Sequence, residues 1–293
     1  MITFYELGQL GRLGNQLFQY AALRSLGIER GYEVKIPNPQ TRTWHGQQCL
    51  LSQFNIEAGF FSDNDLRTIS HSYTEPSHEV FDNNFFSLPD NTNISGFFQS
   101  TLYFQKHKNQ IIKELTPKLH LIDKAVEEIR KIKEKNKGYE IVSLHMRRGD
   151  NTNNTDPNQV TYNNYYGGSS LTKESFYYSY FKKATDQFKN KKVKFLIFTG
   201  GSRGKDENQE DIEWCKKHFQ GSAFMFSENK SAIEDFCLIS RCDHHILSHI
   251  SSFGWWASYI DNRDNMTIAP LKYDPETDYN YRQGFYPKGW TLV

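Results

Sequence analysis

Ile141-Val142-Ser143-Leu144-His145-Met146-Arg147-Arg148-Gly149-Asp150 is an apolar run that stops abruptly in two arginines, a glycine and a carboxylate. Its length and composition are those of a buried strand, and the charged stop marks the strand's C-terminal end. Downstream the alternation continues, with a helical pattern over 173–188, a strand over 193–199, a helix over 210–219 and a strand over 223–226. A helix over 232–240, a strand over 244–247 and a helix over 254–259 come next. Strands alternating with helices predict a parallel sheet, and in such a sheet the C-terminal strand ends line the ligand crevice. Arg147 and Arg148 therefore stand where an anion would bind. Guanidinium groups carry permanent charge and rigid donor forks that match phosphate oxygens, which suits a diphosphate gaining charge as it leaves. One arginine alone would more simply pair with a surface carboxylate; two adjacent ones at a strand end favour the anion.

Upstream, a strand-like segment over 2–7 leads through Gly11-Arg12-Leu13-Gly14-Asn15-Gln16 into helical spacing from Leu17 to Arg30, closed by Gly31, and a further strand over 32–36. This strand, loop, helix, strand order opens a Rossmann-like domain. Gly11-x-x-Gly14 is not the G-x-G-x-x-G fingerprint, so no nicotinamide cofactor is indicated. Residues 37–92 are rich in aromatics and turn formers, with a short helix expected at Ser62-Asp63 and a strand over 93–98. A charged helix over 121–137 places Ile122, Ala125, Val126, Ile129 and Ile132 on one face and stops at Gly138. The domain boundary is placed there, giving domains 1–138 and 139–293, with the Tyr-, Pro- and Gly-rich tail 272–290 expected to pack back on the first. The Asn-, Tyr- and Gly-rich stretch 151–170 has no periodicity and reads as a long loop placed to cover a substrate.

A second signal is Ile246-Leu247-Ser248-His249-Ile250-Ser251-Ser252-Phe253-Gly254-Trp255-Trp256: apolar strand, small hydroxyl residues, helix start. Helix N-terminal N–H groups with serine hydroxyls form an anion cradle, although a serine here can equally be an ordinary N-cap. Trp255 and Trp256 read as core.

The 293 residues carry 35 Lys plus Arg against 34 Asp plus Glu, a net charge of +1, so nothing pulls the whole chain toward nucleic acid. Cys49, Cys215, Cys237 and Cys242 form no C-x-x-C pair and read as reduced, structural thiols. No basic leader and no apolar run of about 20 residues occurs, so a cytoplasmic protein without an integral membrane segment is expected. Asp63-Asn64-Asp65 has the D-x-D form of a metal site but sits where helix-capping residues do. His245 and His249 are four apart yet flank a β-like run and lack a third ligand. No metal site is expected.

Three spaced motifs, Gly11-Arg12-Leu13-Gly14-Asn15-Gln16-Leu17-Phe18-Gln19-Tyr20-Ala21, His145-Met146-Arg147-Arg148-Gly149-Asp150 and Ser251-Ser252-Phe253-Gly254-Trp255-Trp256, resemble those of the α-1,2-fucosyltransferases, glycosyltransferase family 11. Gly96-Phe97-Phe98-Gln99-Ser100, Glu234-Asp235-Phe236, Ala269-Pro270 and Tyr286-Pro287-Lys288-Gly289-Trp290 support the likeness, which spans nearly the whole chain. The resemblance implies an α/β, GT-B-like fold of two Rossmann-like domains facing a cleft. It implies inverting transfer of L-fucose from GDP-fucose, a co-substrate rather than a bound cofactor, to an oligosaccharide acceptor, with galactose O2 the expected atom and no metal. By the same resemblance Arg147 and Arg148 hold the diphosphate, His145 lies beside the nucleoside, and Asp235 accepts from the guanine donors. Ser251, Ser252 and Phe253 belong to the phosphate-contacting segment. Asn15, flanked by Gly14 and Gln16, sits near the reacting oxygens. Asp150 is either the general base or a carboxylate that orients the arginines. The chain departs from the family's Ser-Asp-Asp segment with Phe198-Thr199-Gly200-Gly201-Ser202 and a polar insertion over 203–210, and has Ile250 and Asn151 where Asn and an aromatic are usual. A fucosyltransferase of another linkage, or a catalytically silent nucleotide- or sugar-binding relative, is the alternative.

Overall fold

The computed structural model describes residues 1–148, 176–200, 205–249, 251–272 and 282–293, with the backbone alone described at 176–178 and 205–208. The expectations for Asp150, for the stretch 151–170 and for Ile250 lie outside the described residues. The chain forms two compact units, Met1–Lys118 with Asn280–Lys288, and Leu119–Tyr279 with Gly289–Val293.

In the first unit β1 (Ile2–Thr3) leads into α1 (Leu13–Arg30), β2 (Val34–Ile36), a hairpin of β3 (Thr43–Trp44) and β4 (Gln47–Gln48), and β5 (Gly59–Phe60). Then come α2 (Asp63–Leu66), β6 (His71–Thr74), β7 (Thr92–Ser95) and α3 (Lys108–Glu114). The main sheet runs β5-β2-β1-β7-β6 with every pair parallel. The helix starts four residues ahead of the expected Leu17, so Gly14, Asn15 and Gln16 form its first turn rather than a preceding loop. Leu13 is buried there and Gln16 N donates to Arg12 O at 3.0 Å, which draws the glycine motif into the helix. Gly31 ends it with φ 68°, a left-handed cap that L side chains disfavour. At α2, Ser62 and Asp65 close a capping box and Asp65 also pairs with Lys35 at 2.7 Å, so this part of the D-x-D sequence caps a helix.

The tail joins this unit through backbone and side chain alike. Ser100 Oγ donates to Gln283 O at 2.7 Å, Thr101 N donates to Gly284 O at 2.9 Å, and Phe285 stacks on Phe18. The fully buried Glu114 of α3 accepts from Tyr20 OH at 2.5 Å, Arg24 Nε at 2.9 Å and Gln110 Nε2 at 2.8 Å.

The second unit holds α4 (Leu119–Lys135), β8 (Glu140–Met146), α5 (Phe176–Asp186), β9 (Val193–Thr199), α6 (Lys205–His218) and β10 (Phe224–Phe226). It continues with α7 (Ala232–Ile239), β11 (His244–Ile246), α8 (Ser252–Tyr259), β12 (Thr267–Ala269) and β13 (Thr291–Leu292). The sheet order β10-β9-β8-β11-β12-β13 is parallel throughout, the doubly wound order with its reversal between β8 and β11. Its core gathers Val142, Leu144, Phe181, Phe195, Ile197 and Ile246. The helix expected to close the first domain at Gly138 is α4, and it packs within the second unit: Leu121, Ala125 and Ile129 are buried, Lys133 meets Asp243 at 2.6 Å and Lys230 meets Glu128 at 2.8 Å. The units divide ahead of it, after Lys118. Most of the polar insertion 203–210 is helical, since α6 begins at Lys205.

His245 is fully buried between Ser143 Oγ at 2.9 Å on Nδ1 and Asp261 Oδ2 at 3.0 Å on Nε2. It ties β8 to the segment after α8. The four cysteines are buried free thiols.

Removing a buried carboxylate leaves its cationic partner uncompensated, at a cost of about 3–5 kcal/mol. Glu114→Ala is therefore expected to lower the melting temperature by well over the shift of an Ala substitution at exposed Glu127, measured by calorimetry.

Candidate active site

The reversal in the second sheet makes β8 and β11 neighbours with His244 opposite Val142 and Ile246 opposite Leu144. Ligands of such sheets bind outside the carboxyl ends of the strands at that reversal. There the two sequence motifs meet: Arg147 N donates to the buried Ser248 Oγ at 3.0 Å, across 101 residues of sequence. Ser251 is the N-cap of α8, its Oγ accepting from Gly254 N at 3.2 Å, and Ser252 and Phe253 form the first turn. Gly254 is where the helix start meets β8. A Cβ built on it would lie 2.7 Å from His145 Nδ1, so only glycine lets the helix approach this closely.

His145 is buried in β8, and its ring lies 5.6 Å from that of Phe253, which in turn meets Phe236 edge-on at 5.5 Å. That wall runs to α7, where Asp235 accepts from Ser227 Oγ at 2.6 Å. Burial pushes Asp235 up to about 7 against the opposing hydrogen bond. Burial, helped by the charge of Arg147, pushes His145 down to about 3.

Arg148 is held by α6. Its Nε donates to Asp211 Oδ1 at 2.9 Å, with Arg148 12% and Asp211 2% exposed, and its Cζ lies 3.9 Å from the Trp214 ring centroid. The carboxylate and the indole together set both the in-plane direction and the plane of the guanidinium.

The profile of glycosyl transferase family 11 matches residues 2–293. The chain belongs to that family. An alpha-1,2-colitosyltransferase of Escherichia coli is 26% identical over 92% of each chain. Galactoside alpha-(1,2)-fucosyltransferase 2 of Bos taurus is 24% identical over 90% of this chain and 71% of its own length. Galactoside alpha-(1,2)-fucosyltransferase 1 of Leontopithecus chrysomelas is 26% identical over 88% of this chain, which spans 66% of that relative. Among solved structures, fucosyltransferase NodZ from Bradyrhizobium superposes with a TM-score of 0.50 at 13% identity, covering 94% of this chain and 95% of that one. This last likeness is one of fold: two α/β units on parallel sheets, GT-B-like.

In this family 11 chain the second unit thus gathers His145, Arg147, Ser251, Ser252 and Phe253 around one strand reversal, with Arg148 beside them and Asp235 at the end of the aromatic wall. Asp150 lies outside the described residues. The remaining motif belongs to the first unit, at its own reversal between β1 and β7. Gln16 is buried, its Nε2 donating to Gly11 O at 3.1 Å and its Oε1 accepting from Cys49 Sγ at 3.3 Å, which braces the turn. Gly14 is buried beside it. Asn15 Oδ1 accepts from Gln99 Nε2 at 2.9 Å, and Gln99 Oε1 accepts from Arg282 Nη1 at 3.0 Å.

Sequence reading gave no role to Asp211, Trp214 or Arg282. Asp211 and Trp214 are three apart on the helix expected over 210–219, a spacing that puts them on one face but does not name Arg148 as their partner. Among the described residues no group of three or more His, Cys, Asp or Glu side chains could hold a metal ion, and no helix is long and apolar enough to cross a membrane.

A histidine held below its ordinary 6.5 binds fewer protons folded than unfolded. Its contribution to stability is full above pH 6.5 and lost as pH falls from there toward 3. His145 is expected to show no imidazolium shift in a proton NMR titration from pH 8 to pH 5, whereas a free imidazole reference in the same sample shifts over that range.

Proposed function

We propose that the chain transfers L-fucose from GDP-fucose to galactose O2 of an oligosaccharide, with inversion, giving an α-1,2 linkage without a metal ion. The observation that supports this reading is the bond between Arg147 N and Ser248 Oγ at the strand reversal, which unites the arginine pair with the start of α8. The acceptor oxygen attacks the anomeric carbon as the bond from that carbon to the β-phosphate oxygen breaks. The acceptor proton leaves to a base, a role open to Asp150, and GDP departs with its new charge. Arg147, Arg148 and the N–H groups of α8 stabilise that charge, the task a divalent cation performs elsewhere. Arg148 arrives already oriented by Asp211 and Trp214, so little ordering cost falls on binding. The His145 and Phe253 rings offer the nucleoside an uncharged wall. Asp235, once ionised, accepts from guanine N1–H and its 2-amino group.

The Escherichia coli relative supports a second donor, GDP-colitose. Colitose is L-fucose without its 3-hydroxyl, and a site that hydrogen-bonds that hydroxyl discriminates strongly between the two.

With GDP-fucose, lactose and excess chelator, an α-1,2-fucosylated trisaccharide is expected by NMR. A bond at another oxygen would reassign the linkage, and abolition by the chelator would overturn the metal-free mechanism. Tight GDP binding without transfer or hydrolysis over a panel of acceptors would favour a silent relative, and turnover with GDP-colitose alone would favour the second donor.

Because guanine requires the ionised carboxylate, GDP affinity is expected to rise about tenfold per pH unit up to about 7 and to level off above it. Calorimetric titration of the wild type against Asp235→Asn reads this; a slope that survives in the variant would remove Asp235 from the base contact.

A further inference from the structure

We infer that the amino edge of the second unit's sheet is an interaction surface for an anionic lipid membrane, built by lysines at the end of α4 and in the turn before β9. The inference stands apart from the proposed transfer reaction, because it concerns the opposite end of the strand that leads to the arginine pair.

Residues 131–140 and 189–194 hold eight lysines, two glutamates and no arginine. The whole chain carries a net charge of +1, so the rest of the molecule is net negative. Such an asymmetry in a nearly neutral chain marks a surface that meets polyanions. Strand pairing brings the two stretches together. Glu140 opens β8 opposite Val193 of β9, Glu140 N donates to Lys192 O at 2.8 Å, and Lys194 Nζ lies 4.8 Å from the centroid of the Tyr139 ring.

Lysines in the last turn of a helix offset its dipole, which accounts for Lys133 and Lys135 at the end of α4. Lys133 is further tied to Asp243 at 2.6 Å, and Lys191 leans on Glu140 at 3.3 Å. Lys137, Lys189, Lys191, Lys192 and Lys194 lie outside the helices, so no last turn accounts for them. Among the described residues Lys135, Lys137, Lys189 and Lys192 are exposed and have no carboxylate partner. Like charges gathered in this way repel one another, and a plane of negative charge relieves that repulsion.

The residue types favour lipid headgroups over nucleic acid. Lysine is a compact, strongly hydrated point charge on a flexible stem, which suits phosphates spread over a plane, whereas nucleic-acid recognition leans on arginine forks. A cluster of about four to eight basic side chains is the size that anionic membranes attract. Tyr139, 41% exposed among the lysines, adds an aromatic ring of the kind that settles at headgroup depth. The placement also separates this surface from the candidate active site. β8 runs seven residues from Glu140 to Met146, so the lysine edge lies about 20 Å from Arg147 along the strand. A membrane held there does not compete for the arginine pair and leaves the carboxyl ends of the strands on the far side.

Flotation of the full chain with lipid vesicles tests the surface. Vesicles of about one-third phosphatidylglycerol in phosphatidylcholine are expected to carry the protein at about 0.1 M salt and to release it at about 0.5 M, and pure phosphatidylcholine vesicles to leave it behind. Lys135→Gln, Lys137→Gln, Lys189→Gln and Lys192→Gln combined are expected to weaken binding about 100-fold or more, at roughly fivefold per lysine. Arg67→Gln, Lys106→Gln, Lys113→Gln and Lys118→Gln in the first unit remove the same charge from exposed positions and are expected to change binding by less than about threefold. Acetylation of the wild-type lysines, read by mass spectrometry, needs no variant. Phosphatidylglycerol vesicles are expected to protect the four lysines of the edge and to leave Lys106, Lys113 and Lys118 reactive. Failure of the wild type to bind at low salt, an equal loss in the two quadruple variants, or protection spread evenly over both sets of lysines overturns the surface. Tighter binding of a short DNA duplex than of the vesicles at the same salt reassigns the edge to nucleic acid and overturns it as well.

Discussion

The hydrogen bond from Arg147 N to Ser248 Oγ depends on β8 lying beside β11, and most of the second unit exists to keep that adjacency. Among the described residues the two strands are separated in sequence by β9, β10 and three helices, which wind to one side of β8 before the chain returns on the other. Parallel pairing points both carboxyl ends the same way, so the segments that leave the two strands share one crevice. β8 delivers a pair of arginines to it, and β11 delivers a serine-capped helix start. The fit is close enough that the helix can carry no side chain at Gly254 against His145.

The charges around that crevice are arranged by burial. His145 stays neutral there beside the cationic Arg147 and adds no positive charge of its own. Arg148 is pinned between a buried carboxylate and an indole ring, which lowers the conformational cost of meeting an anion without neutralising the whole fork. Glu114 in the first unit is handled the other way: phenol, guanidinium and amide all donate to it, and it serves packing. A buried carboxylate near an arginine is thus no signature of a site by itself. Its place relative to the strand reversal distinguishes the two cases.

The family motifs fall at strand ends in both sheets: Asn15 and Gln99 follow neighbouring strands in one, Arg147 and Ser248 in the other. In the first unit the amides of Asn15 and Gln99 link to Arg282, and in the second the Arg148 guanidinium meets the Asp211 carboxylate and the Trp214 ring.

The alternation of strands and helices after residue 139, the helix before Gly31 and the buried tryptophans were legible because periodicity and capping are local properties of a chain. So was the arginine pair, since an apolar strand ending in two guanidinium groups is unusual within ten residues of sequence. The short strands β5, β6, β12 and β13 were not legible, having too few residues to carry a period; pairing with neighbours defines them. The assignment of α4 to the second unit followed from the packing of its buried Leu121, Ala125 and Ile129, with salt bridges to residues 230 and 243 beside it, not from the glycine that ends the helix. By itself, then, the sequence determined which segments are strands or helices where their patterns are long, and where the adjacent arginines and the serine-capped helix start lie along the chain. Only the tertiary structure decided what each of those residues touches, that Asp211 holds Arg148 and Gln99 lies between Asn15 and Arg282, because hydrogen-bond partners far apart along a chain are chosen by strand order and leave no mark in local spacing.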